Sequence, residues 1–319
     1  MTEQKVYDLA IIGAGPASLA AAIYTTREDI STVVIEKGVI GGLIAVTDKV
    51  ENYPGFPKGI EGITLADNLR EQAERFGTEI RLGEVSDITV EGSLKRLTTT
   101  DGDIYAKAVL IATGTDFKKV DIPGEKEFYA KGVHYCATCD GAFYRDKRLV
   151  LIGGGNSAVQ EALFLTRFAS HIDLLVRSDL KASEVLKHDL EDMVRAGKIT
   201  VHLHTTTDKI VGENGKVTKV LGTDKTTGKQ VEFLTDGVFV FIGLKPNTGF
   251  LRHITQLKFD EAGFLVTDNS LQTSIPGVFV AGDVRSGATM QIATAAGEGA
   301  TAALRIREYL EEHGREHGA

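Results

Sequence analysis

The chain has few residues of the kinds that mark disordered or membrane-spanning proteins. It contains six prolines in 319 residues and no low-complexity tract, which argues against a long disordered region. Its longest apolar runs, such as residues 238–244, are far too short to cross a bilayer. We therefore expect a folded protein without a membrane-spanning segment.

The chain also lacks an excess of positive charge. Its 36 lysines and arginines are outnumbered by 44 aspartates and glutamates, so the net charge is -8. Phosphate backbones and anionic lipid surfaces repel such a chain. Neither nucleic acid nor a membrane is expected as a partner.

Cysteine is scarce, with two in the whole chain, and the N-terminal residues show neither a basic region nor a cleavage site. These two absences predict a cytoplasmic protein. In that compartment a close cysteine pair is more often catalytic or metal-binding than a structural staple.

Glycine is the residue in excess, at 35 of 319, or about one residue in nine against a usual share of roughly 7%. Since disorder does not explain it, the surplus indicates tight turns or backbone that approaches a ligand closely. A length of 319 residues leaves room for two domains of ordinary size.

An internal repeat organises the chain. The stretch DLAIIGAGPASLAAAIYTTREDISTVVIEKG begins at Asp8, and RLVLIGGGNSAVQEALFLTRFASHIDLLVRSD begins at Arg148. Each has the pattern of an apolar strand, a glycine turn, an amphipathic helix and a second apolar strand. That pattern predicts two βαβ units in an α/β protein.

Both turns resemble the G-x-G-x-x-G dinucleotide motif, with a small residue in place of the third glycine. In that motif the first glycine makes the turn, and the second lets the backbone approach a pyrophosphate at the helix N-terminus. One copy is weak support, whereas two copies in a strand–turn–helix context are much stronger. The two copies are Gly13, Gly15 and Ser18, and Gly153, Gly155 and Ala158.

The ends of the second strands differ. A carboxylate about 20 residues after the first glycine binds a ribose hydroxyl in such folds. The first copy has Glu36 there, whereas the matching position of the second copy is Val176, followed by Arg177. This asymmetry predicts FAD in the first unit and a nicotinamide nucleotide in the second.

Two later stretches complete the first unit. Residues 108–115 form a strand pattern ending in A-T-G, and residues 273–284 form one ending in Gly282-Asp283, followed by an alanine-rich helix pattern. The second unit is then an insertion. We predict an α/β fold with two Rossmann-like, three-layer nucleotide-binding domains, the second inserted into the first. The domain boundaries are 1–117 and 246–319 for the FAD domain, and 118–245 for the inserted NAD(P)H-type domain.

The two cysteines form the motif Cys136-Ala137-Thr138-Cys139. A zinc site is disfavoured, because one pair supplies two of the four ligands that a structural site needs. His134 lies too close to the pair, and the histidines at 202 and 204 are distant and more consistent with ordinary strand residues. A dithiol separated by two residues can instead close to a disulfide with little backbone movement. No metal is predicted.

Six stretches together resemble one enzyme family. In order and spacing they match the low-molecular-weight thioredoxin reductases, class II members of the FAD-dependent pyridine nucleotide-disulfide oxidoreductases. The resemblance covers almost the whole chain, and CATCD directly before a strand–GGG–helix unit is its most specific part. The stretches are GAGPAS, GGLIAVTDKVENYPGFP, IATG, CATCDGAFYRDKRLVLIGGGNSAVQEA, TDGVFVFIGLKPNT and PGVFVAGDV.

The resemblance implies a homodimer whose inserted domain rotates during turnover. Electrons pass from NADPH through FAD and the cysteine pair to the disulfide of thioredoxin or a thioredoxin-like protein. By the same resemblance, Cys139 is expected to face the flavin, Cys136 to attack the thioredoxin disulfide, and Asp140 to donate and accept the proton.

The resemblance also implies two sets of cofactor contacts. The FAD contacts are Gly13, Gly15, Pro16, Ala17, Glu36, Lys37, Gly41, Gly42, Leu43, Asn52, Val85, Ala112, Thr113, Gly114, Gly282, Asp283, Met290, Gln291 and Ile292. The nicotinamide-nucleotide contacts are Gly153, Gly155, Asn156, Ser157, Ala158, Arg177 and Lys181.

The chain departs from the family where the 2′-phosphate of NADPH binds. The family pattern is H-R-R-x-x-x-R, and this chain has VRSDLKAS, which keeps Arg177 but has Ser178 and Ala182 at the other arginine positions. Lys181 lies beside the last of these. NADH or reduced ferredoxin is therefore an alternative donor, and a flavin-binding redox sensor without turnover is a further alternative. Near the flavin, Leu43 replaces the usual Gln and Met290 the usual Arg.

Overall fold

The computed structural model describes residues 5–47 and 49–315. It divides into two compact units, one made of Met1–Asp116 and Lys245–Ala319, the other of Phe117–Leu244. Both boundaries between the units lie one residue before the domain boundaries expected from the sequence. Which nucleotide each unit binds stays a prediction.

Strands and helices alternate in the two βαβ repeats, and runs of consecutive strands follow each repeat. The strands are β1 (Val6–Ile12), β2 (Thr32–Glu36), β3 (Lys49–Val50), β4 (Ile60–Glu61), β5 (Glu79–Leu82), β6 (Val85–Glu91), β7 (Leu94–Thr99), β8 (Gly102–Ile111), β9 (Thr115–Phe117), β10 (Val133–His134), β11 (Arg148–Ile152), β12 (His171–Leu175), β13 (Ile199–His202), β14 (Thr205–Glu213), β15 (Lys216–Asp224), β16 (Gln230–Leu234), β17 (Gly237–Val240), β18 (Leu244–Pro246) and β19 (Val278–Val280). The α-helices are α1 (Pro16–Thr26), α2 (Gly62–Arg75), α3 (Ala137–Asp140), α4 (Asn156–Leu165), α5 (Glu184–Arg195) and α6 (Ile292–Arg315). Short 3-10 helices cover Gly42–Val46, Gly141–Tyr144 and Gly249–Leu251.

The first unit is built on a sheet of order β5-β2-β1-β8-β7-β6, with β19 also paired to β8. Strands β5, β2, β1, β8 and β19 run parallel, whereas β6 and β7 pair antiparallel. Parallel strands are covered on both faces, which explains the unbroken apolar runs of β1 and β8. Helices α1 and α6 pack so closely that a Cβ at Gly299 would lie 2.1 Å from the carbonyl oxygen of Ala17.

The second unit contains a fully parallel sheet of order β10-β17-β11-β12-β13 and an antiparallel sheet of order β14-β15-β16. Its core includes the fully buried side chains of Leu149, Leu151, Leu165 and Phe239. The predicted α/β class with Rossmann-like parallel sheets is confirmed. Within the described ranges, no helix has the length and apolar character needed to cross a membrane.

Candidate functional site

The first glycine turn leads from β1 into α1. Gly13 has φ 95° and donates from its backbone N to Ile35 O at the end of β2, at 2.8 Å. A Cβ at this position would lie 2.6 Å from the carbonyl oxygen of Ala112, the residue after β8. Pro16 and the buried Ala17 then begin α1. Glycine at position 13 is therefore required by the fold itself.

The second turn repeats this geometry between β11 and α4. Gly153 has φ 151° and donates from its backbone N to Leu175 O at the end of β12, at 3.1 Å. A Cβ here would lie 2.4 Å from the carbonyl oxygen of Phe241, after β17, and 2.7 Å from Cβ of Ala158. The two turns thus share one backbone frame. Their first glycines are fixed by the same contact with a neighbouring strand.

The middle glycines have a different environment. Gly15 and Gly155 are the N-caps of α1 and α4, with φ -81° and -94°, and a Cβ at either would meet no atom within 4 Å. The protein does not require glycine at these positions. Open backbone at a helix N-terminus, where N–H groups point outward, suits a bound pyrophosphate.

The strand end in the first unit carries Glu36, which organises the turn. Its Oε2 accepts a hydrogen bond from Ala14 N and its Oε1 one from Gly38 N, both at 2.7 Å. Each carboxylate oxygen keeps a further lone pair, so Glu36 can still accept a hydroxyl. The neighbouring Lys37 is exposed, and its Nζ lies 3.6 Å from Glu84 Oε1.

The corresponding strand end in the second unit is apolar. Val176 is 2% exposed, and a Cβ at Gly154 would lie 2.6 Å from its Cγ1. Arg177 and Lys181 are exposed, and the backbone N of Lys181 donates to Gly154 O at 2.7 Å. Ala182, at the family's last arginine position, is buried in the core.

The two predicted nucleotide contacts at the start of α4 are also exposed. Asn156 Oδ1 accepts a hydrogen bond from Ser183 N at 2.8 Å, and Ser157 follows it on the helix. The loop after β12 is thereby tied to the helix N-terminus.

The loop after β2 approaches the first turn. Gly41 N donates to Ala14 O at 2.7 Å, and a Cβ at Gly42 would lie 3.6 Å from Cα of Gly15. Leu43 follows in the same 3-10 helix and is half-buried. These three predicted flavin contacts therefore lie beside the turn.

The segment after β8 also lies at this edge of the sheet. Thr113 and Gly114 follow Ala112 directly, and Thr113 Oγ1 donates to Asn247 O at 2.8 Å. Val85, at the start of β6, has its side chain in the core, so it offers a ligand only its backbone.

Gly282 and Asp283 follow β19 and approach the start of α1. A Cβ at Gly282 would lie 3.0 Å from Cβ of Ala17, and Gly282 N donates to Glu298 Oε2 at 2.8 Å. Burial and the nearby Glu298 charge raise the pKa of Asp283 to about 6. In the part of the chain that the structure describes, no hydrogen bond satisfies the Asp283 carboxyl. An unpaired, largely buried carboxyl is suited to receive a ligand hydroxyl.

The last predicted flavin contacts gather at the start of α6. Asn52 Nδ2 donates to Gln291 Oε1 at 3.1 Å, which joins segments far apart in the chain. Met290 has φ 58°, and Ile292 is the first residue of α6. The structure therefore places most of the predicted flavin contacts around α1. Lys37, which is exposed, and Val85, at the start of β6, lie further from it.

The two cysteines form a disulfide, with their Cα atoms 5.3 Å apart. Cys136 is the N-cap of α3, and its Sγ accepts a hydrogen bond from Cys139 N at 3.2 Å. A thiolate at Cys136 would be stabilised by this amide. Both cysteines are partly exposed, so a partner disulfide can reach them.

His134, which the sequence pattern disfavours as a zinc ligand and assigns no other role, lies beside this pair. His134 Nδ1 is 3.1 Å from Asp140 Oδ2, and His134 Nε2 is 2.7 Å from the hydroxyl of Tyr144. No periodic pattern signals this contact, because it forms only when the chain reverses through α3.

The other histidines considered as ligands have carboxylate partners. His202 Nε2 lies 2.9 Å from Asp173 Oδ1, and His204 Nε2 lies 3.3 Å from Asp179 Oδ1. Among residues 5–47 and 49–315, no three His, Cys, Asp or Glu side chains gather as a metal site.

Comparison with known proteins agrees with this geometry. Residues 7–299 match the family model described as pyridine nucleotide-disulphide oxidoreductase. The chain is 42% identical over 313 residues to a thioredoxin reductase of Bacillus subtilis, covering 98% of this chain and 97% of the relative. It is 41% identical over 306 residues to one of Treponema pallidum, covering 96% and 97%. A crystal structure of thioredoxin reductase from Streptococcus pyogenes matches with TM-score 0.91 and 38% identity, over 97% of this chain and 100% of that one.

Proposed function

This chain belongs to the pyridine nucleotide-disulphide oxidoreductase family, and we propose that it is a flavin-dependent thioredoxin reductase. The observation that carries the proposal is the Cys136–Cys139 disulfide, held at α3 with Asp140 next to it. Relatives named thioredoxin reductase, about 40% identical along the whole chain, support the same function. The substrate is the disulfide of thioredoxin or of a thioredoxin-like protein.

FAD fits the first unit. The open backbone at Gly15 and the N-terminus of α1 would hold its pyrophosphate, and Glu36 would accept a ribose hydroxyl. The unpaired Asp283 carboxyl would accept a hydroxyl of the ribityl chain. When bound, FAD supplies a carrier that accepts an electron pair from a pyridine nucleotide and passes it to a disulfide.

The cysteines carry out disulfide exchange with the partner. The Cys136 thiolate attacks one sulfur of the partner disulfide, forming a mixed disulfide and releasing one partner thiolate. The Cys139 thiolate then attacks Cys136 Sγ, which closes the internal disulfide and releases the second partner thiolate. Two thiols are oxidised, one disulfide is reduced, and two protons end on the partner. Because Cys139 N donates to Cys136 Sγ, this backbone N–H favours the thiolate that starts the exchange.

Substituting the cysteines tests this function. Cys136→Ser and Cys139→Ser should each lower steady-state thioredoxin reduction by about a thousandfold or more, since serine cannot replace a thiolate in exchange. The matched control is Thr138→Ser, an exposed change between the two cysteines. Flavin content should remain that of the parent protein. Unchanged activity of Cys136→Ser would contradict a catalytic role for the cysteine pair. A parent protein that binds flavin but does not reduce thioredoxin would instead support the flavin-binding redox sensor without turnover.

For the donor we propose NADPH, bound at the turn of Gly153 and Gly155. Arg177 and Lys181 are exposed beside this turn, and no described carboxylate lies within 4 Å of either charge. They are therefore free to meet a 2′-phosphate.

A second donor assignment rests on the incomplete arginine pattern. Ser178 and Ala182 occupy two of its arginine positions, and Ala182 is buried, so the phosphate site would have fewer cations. Each missing contact to a charged phosphate weakens binding by about 1.5–3 kcal/mol. NADH or reduced ferredoxin is therefore the alternative. Anaerobic titration of the flavin absorbance with NADPH, NADH and a reduced ferredoxin in parallel separates the three. Reduction by NADPH at micromolar concentration would exclude the alternatives as main donor.

The proposal includes a homodimer in the cytoplasm. Sedimentation equilibrium of the purified protein should give twice the monomer mass, and a monomer at micromolar concentration would contradict it.

A further inference from the structure

We propose that His134 is a positioning residue for Asp140, so that the two side chains together hold the proton that enters the cysteine pair on reduction. This inference rests on the proposed disulfide-reductase function. It extends that function to a residue outside the C-x-x-C-D motif. The observation that carries it is the hydrogen-bonded chain from Asp140 through His134 to Tyr144.

Both ring nitrogens of His134 are engaged. Nδ1 lies 3.1 Å from Asp140 Oδ2, and Nε2 lies 2.7 Å from the Tyr144 hydroxyl. Asp140 is the last residue of α3 and follows Cys139 directly. One side chain thus links the residue beside the redox pair to a buried hydroxyl.

The packing keeps His134 in this orientation. The residue is 9% exposed, and its ring stacks on Phe239 with centroids 5.2 Å apart. Tyr144 is 8% exposed and meets the same phenyl ring edge-on. A Cβ at Gly237 would lie 2.3 Å from Cε1 of Tyr144, so glycine there lets the tyrosine approach. The imidazole therefore cannot rotate away without disturbing the core.

The hydrogen bonds from Asp140 through His134 to Tyr144 allow two arrangements of protons. When Asp140 is ionised, His134 Nδ1–H donates to it and the Tyr144 hydroxyl donates to Nε2. When a proton is added, it is held either as a carboxylic acid that donates to Nδ1, or as an imidazolium that donates at both nitrogens. An isolated carboxyl releases its proton near pH 4, whereas imidazole does so near neutrality. The pair can therefore hold a proton at a pH where an aspartate alone would be ionised.

Other groups near the pair do not compete for this proton between pH 5 and 9. Burial raises the pKa of Tyr144 and of Tyr129, and the Asp140 charge adds to both shifts. The carboxylate of Asp236 also raises the pKa of Tyr144, and the Lys147 ammonium lies 5.9 Å from its ring centroid. The thiols of Cys136 and Cys139 are the groups that receive the proton.

Reduction of the Cys136–Cys139 disulfide takes one proton from the Asp140–His134 pair. Breaking the Cys136–Cys139 bond and forming two thiols takes two electrons and two protons. A hydride from the pyridine nucleotide supplies the electron pair and one proton. The second proton is the one that the pair holds. It leaves Asp140 Oδ2 for the dithiol, and when it is held on the imidazolium it first passes from His134 Nδ1 to Asp140 Oδ2. The pair then takes a proton from solvent before the next turnover.

The first test is the pH profile of kcat for thioredoxin reduction. His134→Asn keeps a hydrogen-bonding side chain but cannot hold the proton. We expect its kcat to fall at a pH at least one unit lower than in the parent, with a loss of about tenfold at pH 8 and an unchanged KM for thioredoxin. His171→Asn, at a histidine of the same unit paired with Asp173, is the matched control and should keep the parent profile. A loss that is equal at every pH, or no loss, would overturn the proposal.

The second test does not depend on activity. Histidine-selective 15N NMR of the oxidised parent should show His134 gaining a proton between pH 5 and 9, and Asp140→Asn should lower that midpoint by removing the negative charge. A His134 ring that stays in one neutral tautomer throughout would overturn the proposal, even if the variants fail to fold. If the parent does not reduce thioredoxin, the proposed function fails, while this measurement still decides the role of His134.

Discussion

In both nucleotide-type turns, the first glycine lies against a backbone carbonyl oxygen of the neighbouring strand. That oxygen belongs to Ala112 in the first unit and to Phe241 in the second. In both turns the glycine N–H donates to a backbone carbonyl oxygen near the end of the strand that follows the helix. That oxygen belongs to Ile35 in β2 and to Leu175 in β12. The frames are therefore equivalent, although their sequences differ at most other positions.

The residue that follows Ile35 and Leu175 breaks the equivalence. In the first unit Glu36 accepts a hydrogen bond from Ala14 N, and in the second Cγ1 of Val176 lies 2.6 Å from the position that a Cβ at Gly154 would take. One position is polar and half-exposed, and the other is buried. The turn geometry thus follows from backbone packing, whereas the ligand chemistry depends on one side chain at the strand end.

Breaking the shared frame should have the largest effect. Gly13→Ala and Gly153→Ala should each lower the free energy of unfolding by about 3 kcal/mol, because the methyl group meets a carbonyl oxygen and the positive φ disfavours alanine. Urea unfolding followed by circular dichroism measures the loss.

The middle glycines provide the matched control. Gly15→Ala and Gly155→Ala meet no protein atom within 4 Å, so stability should change by less than about 1 kcal/mol. Retention of flavin should nevertheless weaken in Gly15→Ala, because the methyl group occupies space next to the proposed pyrophosphate. Equal stability of Gly13→Ala and Gly15→Ala would contradict the account of the frame.

A partly buried acid, Asp283, distinguishes the first unit further. The pKa of Asp283 is raised to about 6, from 3.8 for an unperturbed carboxyl. Between these values the folded protein binds more protons than the unfolded chain, so stability falls as pH rises through this window. The loss should be roughly 2–3 kcal/mol in flavin-free protein, since one pKa unit corresponds to 1.36 kcal/mol.

Asp283→Asn removes this titration. The variant should be more stable than the parent above pH 6, and the two should converge toward pH 4. Urea unfolding of flavin-free protein at pH 4, 5, 6 and 7 measures the difference. A difference that does not change with pH would show that the Asp283 carboxyl is not destabilised by burial.

The contrast between the units shows which features a sequence reveals. Apolar runs and glycine spacing predict β1, α1 and β2, and the matching offset identifies Glu36 and Val176, because these depend on residues close in the chain. The strand pattern at 273–284 is shortened to Val278–Val280, since pairing with β8 decides its length. The Asn52–Gln291 and His134–Asp140 contacts need tertiary folding, so no local pattern predicts them.

The exposed cation after Val176 gives a smaller effect, confined to the second unit. Arg177→Ala should raise the Kd for NADPH by about ten- to a hundredfold and leave NADH binding unchanged, because only NADPH carries the 2′-phosphate. Arg195→Ala, at the C-terminal end of α5, removes an exposed arginine of the same unit and serves as control. Isothermal titration with both nucleotides measures the ratio. An equal loss for both would mean that Arg177 contacts a shared part of the nucleotide.

The smallest effect should come from making the second strand end resemble the first. Val176→Glu places a carboxylate where Gly154 N could donate to it, as Ala14 N donates to Glu36. NADH affinity should rise about three- to tenfold through a bond to the ribose 2′-OH, while NADPH binding weakens because the carboxylate repels the 2′-phosphate. Val176→Gln has nearly the same shape without the charge, so it should weaken NADPH binding less. Loss of the buried valine contact should lower the free energy of unfolding by about 1–2 kcal/mol in both variants, so their nucleotide affinities can be compared directly. If the NADH-to-NADPH affinity ratio is the same in Val176→Glu and Val176→Gln, this strand end does not select the nucleotide.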